Sequence, residues 1–119
     1  MLTVMDEIFT LQAEILRTLA NPRRLETVER LAHDGPCEVR RLAEDVGMSQ
    51  PNVSQHLAVL RGTGLVEAVR NGREVQYHLV DPEVADACRI MQRVLMRRLA
   101  RLGALSTRAA ERLDDPLSV

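Results

Sequence analysis

The chain has 119 residues and a mass of 13.4 kDa, room for one domain of ordinary size but not for two. Apolar residues make up 45% and charged residues 28%, a globular mix rather than a disordered one. The net charge of −1 argues against a protein that coats nucleic acid by charge alone.

The longest run without an acidic or basic residue, Val46 to Leu60, contains Ser49, Gln50, Pro51, Asn52, Ser54, Gln55 and His56. That excludes a membrane span of about 20 apolar residues. Phe9 and Tyr77 are the sole aromatics, too few for a stacking platform on single-stranded nucleic acid. The opening MLTVMDEIF is acidic where an export signal is basic, so a cytoplasmic location is expected. Two cysteines give no disulfide framework there. All sixteen basic residues are Arg, a bias that a GC-rich coding sequence explains as well as function does.

In chain order, a first helix from about Met5 to Ala20 carries Asp6 and Glu7 in its opening turn, where the helix dipole favours acids. Met5, Ile8, Phe9, Ile15, Leu16 and Leu19 follow helical spacing along it. Asn21 reads as an N-cap and Pro22 as the first residue of a second helix, whose Leu25, Val28, Leu31 and Ala32 share one face. A short third helix places Val39, Leu42, Ala43 and Val46 at i, i+3, i+4 and i+7, and Gly47 stops it.

Ser49 caps a fourth helix with Pro51 tolerated in its first turn. Val53, Leu57 and Leu60 make its buried stripe, leaving Gln50, Asn52, Ser54, Gln55, His56 and Arg61 outside. A merely solvated helix face is normally filled with Glu, Lys and Arg. This one is amides, hydroxyls and an imidazole.

Asn71-Gly72 then predicts a hairpin closed by a type I′ turn, with positive φ at both residues. That closure pairs Arg70 with Arg73, Val69 with Glu74, Ala68 with Val75 and Val66 with Tyr77, and puts His78 opposite Leu65 on the outer face. Val66, Ala68, Val75, Tyr77 and Leu79 share one face; Glu67, Glu74 and Gln76 share the other. Two arginines stand at the tip, where they repel unless an anion lies nearby.

After Asp81-Pro82 a long helix is predicted to about Leu102, with Ala87, Met91, Val94, Leu95, Leu99 and Leu102 as an apolar seam. Arg89, Arg93, Arg97 and Arg101 form a ladder on another face, read as solvated or salt-bridging between chains. So small a domain cannot bury both terminal helices alone, and their seams are expected to meet those of a second copy across a two-fold axis. Residues 1–103 thus read as a single domain that carries its own dimerisation helices, and 104–119 as a frayed tail.

The fold class is mainly α with a two-stranded wing, in the order α-α-α-α-β-β-α: a winged helix-turn-helix, with helices three and four joined by Val-Gly-Met-Ser. Amides bond bidentately to adenine, Ser and His reach base edges or phosphates, and Arg70 and Arg73 suit the backbone or the adjacent minor groove. The chemistry fits double-stranded DNA. A winged-helix module that binds protein instead would suit the near-neutral charge, but the fourth helix lacks the apolar anchors such hot spots use. No Gly-rich phosphate loop, nucleophile elbow or metal triad points to an enzyme, and no cofactor is expected.

The stretches LANPRRLETVERLA and RLAEDVGMSQPNVSQHLAVLRGTGLVEAVRNGREVQYHLVDPEV closely resemble the ArsR/SmtB family of bacterial winged-helix repressors, across roughly Leu16 to Val84. The resemblance implies a homodimer joined by its first and last helices, on an imperfect inverted repeat. It further implies repression relieved by an inducer, and DNA contacts from Ser49, Gln50, Asn52, Ser54, Gln55, His56, Arg70 and Arg73.

The chain departs from the family at its sensing sites. The CVCDL-like run of arsenic-type sensors falls on Glu38-Val39-Arg40-Arg41-Leu42, with Cys37 one place outside. The zinc-type D-x-H falls on Asp86-Ala87-Cys88, and the second zinc pair among Met96, Arg97, Arg98 and Leu99. Neither metal site survives. His33 and Cys37 supply two ligands where tetrahedral zinc wants four, so no metal is expected. The inducer is open: a small molecule, a thiophilic metal or an oxidant. Cys37, expected at the start of helix three with Arg40 and Arg41 close behind, is a candidate thiol sensor, with Cys88 as its partner or as a small core residue.

Overall fold

A computed structural model describes residues 3–114 of the chain. The elements follow the expected order: α1 Val4–Leu19, α2 Pro22–Asp34, α3 Val39–Val46, α4 Gln50–Gly62, β1 Val66–Asn71, β2 Glu74–Leu79 and α5 Glu83–Asp114. They divide into two compact units, Met1–Ala85 and Asp86–Val119.

Local hydrogen bonding sets the helix starts. Thr3 and Asp6 form a capping box on α1: the Asp6 amide donates to Thr3 Oγ1 at 3.2 Å, and the Thr3 amide donates to Asp6 Oδ2 at 2.8 Å. On α2, Asn21 Oδ1 accepts from the amides of Arg23 and Arg24 at 2.9 and 3.1 Å. Gly47, at φ 66, ends α3 in the left-handed conformation that frees the chain to turn into α4.

The core of the first unit is Leu19, Val28, Leu31, Leu42, Val46, Val53, Leu57, Leu60, Leu65, Val66 and Leu79, all buried. Leu25, expected among them, is 40% exposed, and Thr27 takes the inward position instead. Its hydroxyl donates to the Arg23 carbonyl at 2.8 Å, so the buried polar atom is satisfied within its own helix.

The hairpin forms two residues out of the expected register. Val66 pairs with Leu79, Glu67 with His78, Ala68 with Tyr77, Val69 with Gln76, Arg70 with Val75 and Asn71 with Glu74. The turn is Gly72-Arg73, and Gly72 alone has positive φ (67), with no such non-glycine residue described. A turn with positive φ only at its first central residue is type II′, not I′. Because the register moves by two, each side chain keeps its expected face. The tip, however, is redrawn: Arg70 lies across from Val75, and Arg73 sits in the turn.

The ribbon also gains an edge contact the sequence does not announce. Cys37 exchanges two backbone hydrogen bonds with Tyr77, at 3.0 and 2.8 Å, which ties the segment before α3 to β2.

In the second unit α5 continues through Gly103 to Asp114, past the expected end near Leu102. One glycine costs a helix about 1 kcal/mol relative to alanine, and Ala104, Leu105, Ala109 and Ala110 are good helix formers around it. The remainder of the expected frayed tail, 115–119, lies outside the described residues. Along α5, Met91, Val94, Leu95, Leu99 and Leu102 are 48–65% exposed. On α1, Met5, Ile8, Phe9 and Leu16 are 46–61% exposed. No described helix is long and apolar enough to cross a membrane.

Candidate nucleic-acid interface

The outward face of α4 depends on what is buried beneath it. Val53, Leu57 and Leu60 each show no exposure, which fixes the rotation of the helix. Ser49 stands at the N-cap, its Oγ accepting from the Asn52 amide at 3.3 Å. Gln50, Asn52, Ser54, Gln55 and Arg61 are exposed, and His56 is half-buried at the edge of the face. No acidic residue occurs anywhere in α4. The helix therefore offers donors and amides with no carboxylate to repel a phosphate.

His56 is tuned toward its neutral form. Burial lowers its pKa from 6.5, and the Arg24 and Arg23 cations lower it further. A neutral imidazole donates from one nitrogen and accepts at the other, so it can match either kind of base edge. The sequence reading misses Arg23 and Arg24 in this setting, because α2 lies thirty residues upstream and nothing local links it to α4. Both arginines also have structural partners. Arg23 Nη1 donates to Glu26 Oε2 at 2.9 Å and to the Val46 carbonyl at 3.2 Å; Arg24 Nε donates to the Thr18 carbonyl.

Arg70 and Arg73 are both exposed at the wing tip, and neither side chain makes a hydrogen bond or ion pair among the described residues. They are not the direct cross-strand partners that the expected register made them. At the start of β2, hydrogen bonding and charge from Glu38 raise the pKa of Glu74.

His78, expected opposite Leu65 and exposed, is half-buried beside Glu67, with Nε2 3.3 Å from Oε2 and Nδ1 3.0 Å from the Leu79 carbonyl. The register shift accounts for it. His33 is exposed and pairs with Asp34 at 2.8 Å, a hydrogen bond that lowers the Asp34 pKa. Among the described residues no cluster of three or more His, Cys, Asp or Glu could hold a metal ion.

The expectation of an activated Cys37 thiolate fails on geometry. α3 begins at Val39 with Glu38 as its N-cap, so Cys37 lies outside the helix, buried, with its amide committed to Tyr77. Burial raises its pKa, the Asp34 carboxylate adds to that, and Arg41 only partly offsets them. The thiol stays protonated. Cys88 is half-buried on α5, and neither cysteine is in a disulfide.

A capped helix with an amide face, set after a helix and a glycine turn and followed by an arginine-tipped ribbon, defines a winged helix-turn-helix DNA-binding protein. Known proteins agree. The sequence profile described as "Bacterial regulatory protein, arsR family" matches residues 21–68. The HTH-type transcriptional regulator Rv0081 of Mycobacterium tuberculosis (strain ATCC 25618 / H37Rv) is 35% identical over 95 residues, 80% of this chain and 83% of that one. Its crystal structure superposes with a TM-score of 0.69 at 36% identity, covering 79% of this chain and 94% of the other.

A solution structure of the homodimeric winged helix-turn-helix domain of Mb0332 from Mycobacterium bovis gives a TM-score of 0.73 at 30% identity, covering 85% and 93%. The transcriptional repressor PagR of Bacillus anthracis gives 0.65 at 29%, covering 71% and 97%. The chain belongs to the arsR family of bacterial regulatory proteins and is a DNA-binding transcriptional regulator.

Proposed function

We propose that the protein is a cytoplasmic repressor that acts as a homodimer on an inverted-repeat operator, without catalysis and without a cofactor. Each protomer inserts α4 into a major groove, with half-sites about one helical turn apart. Asn52, Gln55 and His56 read base edges. Ser49, Gln50, Ser54 and Arg61 add contacts to bases or backbone, and Arg70 and Arg73 hold the phosphates beside the groove. Residues 1–103 serve as the DNA-binding and dimerisation domain.

The observation that carries this reading is the outward face of α4, polar and free of carboxylates. The homodimer is supported by the exposed apolar stripes of α1 and α5, the kind of surface that marks a protein interface, and by the homodimeric state of the Mycobacterium bovis relative. Repression is supported by PagR, a repressor of the same fold. An inducer releases the operator by shifting the population from a DNA-competent spacing of the two reading helices to an incompetent one.

The test is a selection of duplexes from a randomised library by the purified protein, followed by titration and sedimentation of the selected duplex at several salt concentrations. The expected result is two chains per duplex, an inverted-repeat consensus, and affinity that falls linearly with salt on logarithmic axes. A strictly monomeric protein, or one that selects no duplex at low ionic strength, overturns the reading.

A further inference from the structure

One side chain on the outward face of α4 breaks its chemistry. Val59 is 44% exposed and is the sole large apolar residue so exposed on that helix. At 100° per residue, Asn52, Gln55 and Val59 fall within about 60° of one another, so Val59 lies in the middle of the amide face. Nothing in the helix itself asks for it. The buried stripe is complete without it, with Val53, Leu57 and Leu60 at no exposure. A β-branched residue at an exposed helix position is also a poorer helix former than Ala, Glu or Arg.

We propose that Val59 is a base-reading residue whose exposed methyl groups pack against the 5-methyl group of a thymine in the major groove. The inference rests on the DNA-binding role given to α4 above. In the major groove the thymine methyl is the one apolar feature a base pair presents, and apolar side chains are its natural partners. Amides beside a valine form a coherent pair of readers: Gln55 or Asn52 bonds to adenine, and Val59 covers a thymine methyl close by. Val59 stands one turn beyond Gln55, about 6 Å along the helix axis, which is under two base-pair steps of about 3.4 Å. The thymine therefore belongs to a pair within two steps of the adenine. Ala58, exposed next to it, is small enough to leave that approach open.

The experiment takes the duplex selected above and replaces its thymines with deoxyuridine, one position at a time, so that only the methyl is lost. The wild-type protein and Val59→Ala are titrated against each duplex. The Val59→Ala helix is expected to remain folded, which circular dichroism checks, because alanine is the better helix former. At one thymine per half-site the wild type is expected to lose about fourfold in affinity, the worth of one buried methyl, and Val59→Ala to lose nothing further. If every thymine replacement affects both proteins equally, or none affects the wild type, the assignment of Val59 is wrong while the role of α4 stands. If no duplex is selected at all, the DNA-binding reading falls and takes this inference with it.

Discussion

The outer surfaces of α4 and α5 contrast, although both helices hold apolar residues at helical spacing. α4 hides its leucines completely and turns amides, hydroxyls and an imidazole outward. α5 leaves Met91, Val94, Leu95, Leu99 and Leu102 half-exposed along one stripe, with an arginine ladder on another face. A polar face without carboxylates suits nucleic acid, and a long apolar stripe suits protein. On the proposed reading, one helix touches DNA and the other a second copy of the chain.

The sharpest way to break that contrast is to charge the apolar stripe. Leu95→Glu combined with Leu99→Glu puts carboxylates where they would be buried unpaired, at a cost of several kcal/mol each. Light scattering should show the mass halved, and duplex affinity should fall by about a hundredfold or more as the paired half-sites lose their shared attachment. An unchanged mass would mean the stripe has some other occupant. Gln55→Ala is the complementary change on α4. A bidentate amide–adenine pair contributes about 1–3 kcal/mol, so sequence preference should drop by roughly five- to 150-fold while sedimentation still reports a dimer.

Smaller effects sharpen the picture of the wing and of His56. Arg70→Ala and Arg73→Ala should weaken binding to selected and random duplexes alike, and flatten the salt dependence by about one unit of slope per lost phosphate contact. A loss confined to the selected duplex would make them base readers instead. The smallest effect concerns pH. Burial and the neighbouring Arg24 and Arg23 hold the His56 pKa below 6.5, and the unfolded chain restores it, so below about 6.5 the unfolded state binds more protons. Stability contributed by neutral His56 is therefore lost as pH falls from about 6.5 toward the folded pKa. His56→Gln should show a shallower fall in melting midpoint over that range; an identical fall in both proteins would remove His56 from the acid response.

Local chemistry is what the sequence makes legible. Asn21, Ser49 and Gly47 sit where their hydrogen-bonding and backbone preferences require, and the stripe Val53, Leu57, Leu60 defines the α4 face without reference to any other element. What escapes it is set by distant parts of the chain. The hairpin register follows Leu79 packing opposite Val66 rather than the Asn-Gly pair, leaving Gly72 alone at positive φ. The Cys37–Tyr77 bridge spans forty residues and converts an expected reactive thiolate into a buried thiol. Thr27 faces inward and Leu25 does not, the Thr27 hydroxyl being satisfied by a carbonyl one turn back, which a tally of apolar residues ignores. Val59 was legible from helical spacing alone, since position 59 falls between Asn52 and Gln55 on the wheel. An apolar residue is easily credited to the core.

The most direct test of the amide face replaces adenines of the selected duplex one by one with 7-deazaadenine, which removes the N7 acceptor from the major groove and alters little else. With α4 reading adenine through Gln55, the wild type should lose about tenfold in affinity, the worth of one hydrogen bond left unmade, at one adenine in each half-site. The two sensitive positions should lie about one helical turn apart, and Gln55→Ala should be indifferent to the change at both. Equal losses in the two proteins would remove Gln55 as the reader, and no sensitive adenine in either would contradict the placement of α4 in the groove.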